Sequence, residues 1–287
     1  SHSRRKHHIS REAAAGFRLP VSRLSLLPSF PCPCHRTSIA MAILRLVLLL
    51  LLVVYVLPAA LAAALWLAGE HPSSYRDADW TSAALLPLPT ADASAAVYVL
   101  AARTGGLKGS VSEHSWIVLK PEGATRYERY DKVGWGNPIR RNAYPADARW
   151  YSNEPRVISA LHGDAATAAI PKIRMAVDAY PFAAAGGYRI FPGPNSNSFV
   201  AHVLRTVPAL GTVLPPAAVG RDFPFDGEWL RLDRERGEFS LSLFGYAGIT
   251  IGRLSGLEVN FLGLVAGIDP FRMLVKIPAF GSFGFSN

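Results

Sequence analysis

Cysteine is nearly absent from this 287-residue chain: Cys32 and Cys34 are the only two. As a lone Cys-Pro-Cys with no second pair they give a weak zinc or redox signal, and the remaining residues can supply neither a disulfide nor a catalytic thiol. Positive charge is scarce where a nucleic-acid domain would need it. Eight basic side chains and one acid (Glu12) fall within residues 1–45, so residues 46–287 carry only +2 of the net +9. A basic patch in the folded part is therefore missing, and no nucleic-acid partner is expected. No Walker or Rossmann loop is present, since Gly105-Gly106 lacks the spacing. His114, His162, Asp164 and His202 show no i, i+4 helical zinc pair, so neither metal nor cofactor is expected.

What remains is half apolar, enough for a full core in one domain. Residues 1–40 are rich in Arg, His and Ser without periodic apolar positions. Because Met41 is the first methionine, this tract is read as a disordered basic leader and Met41 as the native start. Residues 42–68 read as a transmembrane helix or signal anchor. Leu46–Ala68 has 23 residues and no charge, roughly 34 Å of helix against a hydrocarbon core of about 30 Å. Trp66 near its end suits an interfacial aromatic, and positive charge before the span with little after it puts the N-terminus in the cytoplasm and the rest outside, in the periplasm of a bacterial inner membrane. The rival is a signal peptide cleaved at Ala60-Leu61-Ala62, whose apolar core would ordinarily be shorter, about 7–15 residues. Residues 69–92, rich in Pro, Ser and Ala, read as a linker.

Residues 93–287 read as a single α+β domain with an antiparallel sheet and a β-rich C-terminal part. Ala95–Ala102 and Ser112–Lys120 are buried strands, the second with His114, Trp116 and Val118 on one face. Pro121-Glu122-Gly123 turns the chain into a third, Thr125–Val133. Trp135–Val157 is an aromatic-rich loop. Asp164 is expected to cap a helix running to about Tyr180 and interrupted or restarted at Pro171. Tyr188–Phe191 reads as a strand, ended by Pro192-Gly193-Pro194. Asn195, Ser196, Asn197 and Ser198 then offer four caps to the helix that follows.

Ser196 at that helix start has its own N–H and that of Asn197 as oxyanion-type donors. His114, from a central strand, is its candidate base, and an acid on the next strand would orient the histidine. A turn centred between Glu122 and Gly123 sets Asp131 opposite His114; half a residue of shift sets Tyr130 there instead. The competing reading makes Ser196 a cap and His114 a core histidine. A helix dipole supplies at most about 2 kcal/mol, about 1.5 pKa units, which leaves a serine hydroxyl protonated, so chemistry here depends on His114. Asn195, Asn197, Trp116 and Trp135 are the further candidates, as ligand-binding or turn-bracing groups. Arg140-Arg141 reads as solvated loop or as a grip on an anion.

The segments WTSAALLPLPTADASAAVYVLAAR, HSWIVLK, RYDKVGWG, YRIFPGPNSNSFVAHVLRTVPAL and LPPAAVGRDFP resemble the bacterial family designated domain of unknown function 3750, over roughly Trp80 to Pro278. That family has no established activity. The order of a histidine strand followed by Asn195-Ser196-Asn197-Ser198-Phe199 is more distantly similar to circularly permuted NlpC-like, papain-fold hydrolases and acyltransferases. This likeness implies a papain-like α+β fold, with Ser196 standing where those proteins have a cysteine nucleophile, His114 as base and Asp131 as the orienting residue. It implies a serine-dependent hydrolase or acyltransferase acting on an envelope amide or ester. The alternatives are a silent module binding a cell-wall or lipid ligand, and a purely structural envelope protein.

Overall fold

The computed structural model describes residues 33–284, with side chains from residue 38. Most of the expected leader, and Cys32 with it, lies outside the described residues. The chain divides at residue 45; of the part before it, only the opening of helix Pro33–Leu51 (α1) is described. The helix widens into a five-residue π segment, Leu52–Val56, and continues as Leu57–Ala68 (α2). Pro58 accounts for the wider winding, because it has no N–H for the carbonyl four residues back and its ring crowds that carbonyl. Ser38–Ala68 is long and apolar enough to cross a membrane.

Residues 69–92 are not a free linker. They hold no helix or strand, but Trp80 stacks on Tyr144 (5.3 Å) and meets Trp150 edge-on (5.0 Å). The Asp147 carboxylate accepts the N–H groups of Leu85 (2.7 Å) and Leu86 (2.9 Å). A segment of linker composition is pinned here by a few large apolar anchors.

Five antiparallel strands form the first sheet: Ala96–Arg103 (β1), Glu113–Lys120 (β2), Glu128–Lys132 (β3), Ile139–Arg141 (β4) and Arg156–His162 (β5), in the order β4-β3-β2-β1-β5. Helices Gly163–Asp178 (α3) and Ser196–Thr206 (α4) cover one face, where Val97, Val99, Ile117 and Leu119 pack against Ile173, Phe199 and Val203. On the other face Leu100, Trp116 and Val118 pack under Trp150, Trp80 and Leu86. Coverage on both sides explains why β1 and β2 are apolar on both faces.

Two expectations fail locally. His162, not Asp164, occupies the cap position of α3, and Pro171 lies within an unbroken helix; Asp164 sits in the first turn, where its charge suits the dipole. Tyr188–Phe191 is not a strand. The Arg189 N–H turns back to the Pro194 carbonyl (2.8 Å), so the segment closes on its own turn instead of joining a sheet edge.

The second sheet is a seven-stranded meander: Leu230–Asp233 (β6), Glu238–Leu243 (β7), Ala247–Gly252 (β8), Gly256–Phe261 (β9), Leu264–Asp269 (β10), Leu274–Ile277 (β11) and Gly281–Gly284 (β12). Its amphipathicity is inverted. In β9, Glu258 and Asn260 are buried while Leu257 and Val259 are exposed. The ladders align one apolar residue from every strand, Leu232, Phe239, Ile251, Leu257, Ile268, Val275 and Phe283, in a row on the exposed face. Inward, Glu258 pairs with Arg221 and Lys276, and Asn260 donates to Asp222 (2.7 Å), so these buried side chains have partners.

Candidate functional site

The helix start PGPNSNSF is fixed by Asn195. Its Oδ1 accepts the N–H groups of Asn197 (2.9 Å) and Ser198 (3.1 Å), and the Ser198 hydroxyl accepts the Asn195 N–H (2.6 Å). This is a reciprocal capping box with serine in the usual glutamate position. The Asn195 amide also donates to the carbonyls of Ile190 and Val219, both at 2.9 Å. Gly220, at φ +94°, leaves the space the Asn195 side chain fills. Asn197 crosses to the sheet, donating to Glu113 O and Val219 O (2.8 Å each) and accepting from the Ser115 hydroxyl (2.7 Å). Both asparagines brace the turn.

One expected donor is thereby lost. The Asn197 N–H is engaged by the cap, so it is not free for an oxyanion. Burial pushes the Tyr188 pKa up, and the neighbouring Ser196 N–H and hydroxyl oppose that shift.

On β2, Ser115, Ile117 and Leu119 turn toward α4, whereas His114, Trp116 and Val118 turn to the aromatic side. Ile117 pairs with Tyr130, so the turn centres between Gly123 and Ala124, one residue later than expected. Asp131 stands beside Trp116 and diagonal to His114, on the same face. His114 Nε2 and Asp131 Oδ1 are 2.9 Å apart. Arg129 clamps the same carboxylate with two bonds, Nε to Oδ2 at 2.7 Å and Nη2 to Oδ1 at 2.8 Å. Its guanidinium lies over Trp116, 4.1 Å from the ring centre. Trp150 stacks flat on the imidazole, with centroids 3.7 Å apart.

These contacts set the charge states. Burial lowers the His114 pKa, and the nearby Arg129 lowers it further, against the opposing pull of Asp131. Burial pushes the Asp131 pKa up, but Arg129 and His114 outweigh it and hold the carboxyl at about 2. The site therefore presents a neutral imidazole at neutral pH. Lys132, on the α4 side and bonded to the Phe182 carbonyl, is brought down to about 8 by burial.

His114, Ser196, Asn195, Asn197 and Trp135 line one cavity of about 370 Å³, together with Lys132, Trp150, Tyr151 and Tyr188. Ser196 and His114 are buried at 3% and 4% exposure. Among the described residues no hydrogen bond joins them, and His114 Nδ1 has no hydrogen-bond partner. Trp116 is sealed beneath Arg129 and does not reach the cavity; Trp135 does, at 43% exposure. Arg141 pairs with Glu128 (3.0 Å) and Arg140 donates to the Trp135 carbonyl (3.0 Å). His202 bonds the Ala176 carbonyl (2.9 Å) inside the core, and among the described residues no three His, Cys, Asp or Glu gather to hold a metal.

Sequence reasoning missed Arg129, Tyr188 and Lys132, whereas Trp150 belongs to the aromatic loop it had placed at the cleft. Arg129 was findable: it sits two residues before Asp131 on one strand, hence on the same face. Tyr188 was hidden by reading its segment as a strand.

No curated protein and no solved structure matches the chain. Residues 94–223, which contain the first sheet, both covering helices and the whole cavity, match the family described as Protein of unknown function (DUF3750).

Proposed function

We propose that this protein is a membrane-anchored binding module of the bacterial cell envelope, whose cavity takes a small neutral ligand bearing hydroxyl or amide groups. One observation carries the reading: Ser196 and His114 line the same cavity, yet among the described residues no hydrogen bond joins the Ser196 hydroxyl to a base. The cavity then offers a neutral imidazole, a serine and a tyrosine among aromatic walls, groups suited to hydrogen-bonding and stacking a cell-wall fragment. The charge-free run behind Arg45 supports a single-pass anchor in the inner membrane with the domain in the periplasm.

A second reading, a serine-dependent hydrolase or acyltransferase on a permuted papain-like plan, is favoured by the His114–Asp131 bond at 2.9 Å in the cavity that also holds Ser196. In it, His114 Nδ1 takes the Ser196 proton as Oγ attacks an ester or amide carbonyl. The Ser196 N–H meets the oxyanion, and the imidazolium returns the proton to the leaving alcohol or amine. A small rotation of Ser196 toward His114 would be needed, and resting geometry tightens on substrate binding in many enzymes.

The full chain in detergent is to be treated with a fluorophosphonate serine probe and, separately, titrated with the neutral disaccharide of N-acetylglucosamine. The binding reading expects no labelling and a saturable titration weakened about tenfold or more by Trp135→Ala. Labelling of the wild type that vanishes in both Ser196→Ala and His114→Ala overturns it in favour of the hydrolase. A titration without saturation sinks the cell-wall ligand. Thiol alkylation of Ser196→Cys, faster than that of Cys32 and Cys34 and slowed by His114→Ala, would show base assistance at this position.

A further inference from the structure

The second sheet turns its apolar face outward, and the helix meets it there. Tyr55 is buried on this face: its hydroxyl donates to the Val259 carbonyl (2.9 Å) and its ring meets Phe261 edge-on (5.5 Å). In Leu46–Ala68, Tyr55 stands nine residues from one end and thirteen from the other, about 14 and 20 Å at 1.5 Å per residue. A strand that touches Tyr55 is therefore at mid-depth of any bilayer the helix spans.

We propose that the outward face of this sheet lies in the hydrocarbon of the bilayer, beside the helix, as a second membrane-embedded surface. Seven strands at about 4.8 Å spacing, six presenting two or three apolar residues and β12 only Phe283, give a patch of roughly 500 Å². That is at the upper end for the largest patch on a soluble monomer, and it continues into the exposed leucines of the helix. Outward positions are aliphatic or aromatic and most inward ones polar, with Val265 and Leu274 as inward exceptions, the alternation of a lipid-facing sheet.

The two ends of the strands differ in a way that suits the same placement. The turns beside Phe244, Tyr246 and Leu262 carry no charge, while the opposite turns carry exposed Arg234, Arg253 and Arg272. Arginines at one rim can reach lipid phosphates. The unpaired edges, β6 and β12, have four residues each, which limits the backbone groups left without partners in lipid.

The test uses the full chain in liposomes with Cys32→Ser and Cys34→Ser, carrying a nitroxide at Ile251→Cys or Leu257→Cys. Leu50→Cys in the helix and Glu122→Cys in an exposed turn are the controls. Collision with oxygen, which concentrates in hydrocarbon, is compared with collision by a water-soluble nickel chelate. At both sheet positions the oxygen-to-nickel ratio should match position 50 and exceed position 122 several-fold. A ratio like that of position 122 overturns the proposal by placing the face in water. Low access to both reagents with dipolar broadening overturns it by placing a second copy on the face.

Discussion

Burial of His114 links its charge state to folding. An unfolded imidazole titrates near about 6.5, and in the fold burial lowers that value. Between the two values the unfolded chain holds the extra proton, so stability is complete above about pH 6.5 and falls as pH drops below it. Asp131, held at about 2, contributes above about pH 4 and loses that contribution as pH falls further. His114→Gln should therefore flatten the midpoint of thermal unfolding between pH 7 and 5 and leave the steeper loss below pH 4, as followed by circular dichroism. Asp131→Asn should cost more, about 3–5 kcal/mol at pH 7, because Arg129 is left buried at 1% exposure without its counter-charge. The pairing partner was half legible in the sequence. Strand alternation puts His114 and Asp131 on one face, whereas the register depends on where the turn closes, which composition leaves open by a residue.

At the scale of elements, local chemistry was readable wherever a backbone group had a sequence neighbour to bond. Four adjacent cap candidates marked the start of α4 correctly, but only three-dimensional contacts select among them. Asn195 serves because its amide also reaches Ile190 O and Val219 O. Asn195→Ala should accordingly cost more than an ordinary cap, about 2–3 kcal/mol against the usual value near 1. Asn195→Asp keeps the cap and loses the two donations, so it should fall between. Gly220→Ala should resemble Asn195→Ala, since a Cβ there displaces the same side chain. Urea unfolding of the four proteins in one detergent gives this order; equal stability of Asn195→Ala and wild type would refute the account. Strand β5 escaped notice because it is an edge strand with a mostly exposed pattern, leading directly into α3.

On the scale of the whole molecule, alternation tells which residues share a face but not which face is turned to the core. From Glu238 to Ile277 the short apolar runs alternating with glycine were legible as strands; their inversion was not, because Glu258, Asn260 and Lys276 find partners only once the chain before them has folded. The join between helix and sheet is likewise invisible in sequence. Tyr55 reads as one more residue of an apolar run, yet it is the polar group that ties the run to β9. Removing only its hydroxyl, as Tyr55→Phe, forfeits one hydrogen bond, about 1 kcal/mol in water. Tyr55→Ala also strips the ring from Phe261, for a loss of about 3–5 kcal/mol. Both variants should leave the cavity around His114 intact, since the first sheet has its own two cores. In a fixed detergent, thermal unfolding followed by the near-ultraviolet aromatic signal should therefore resolve two transitions in Tyr55→Ala, the earlier one belonging to the second sheet. A single cooperative transition shifted as a whole would mean that sheet and first domain unfold together, and that the helix contact does not hold the sheet independently.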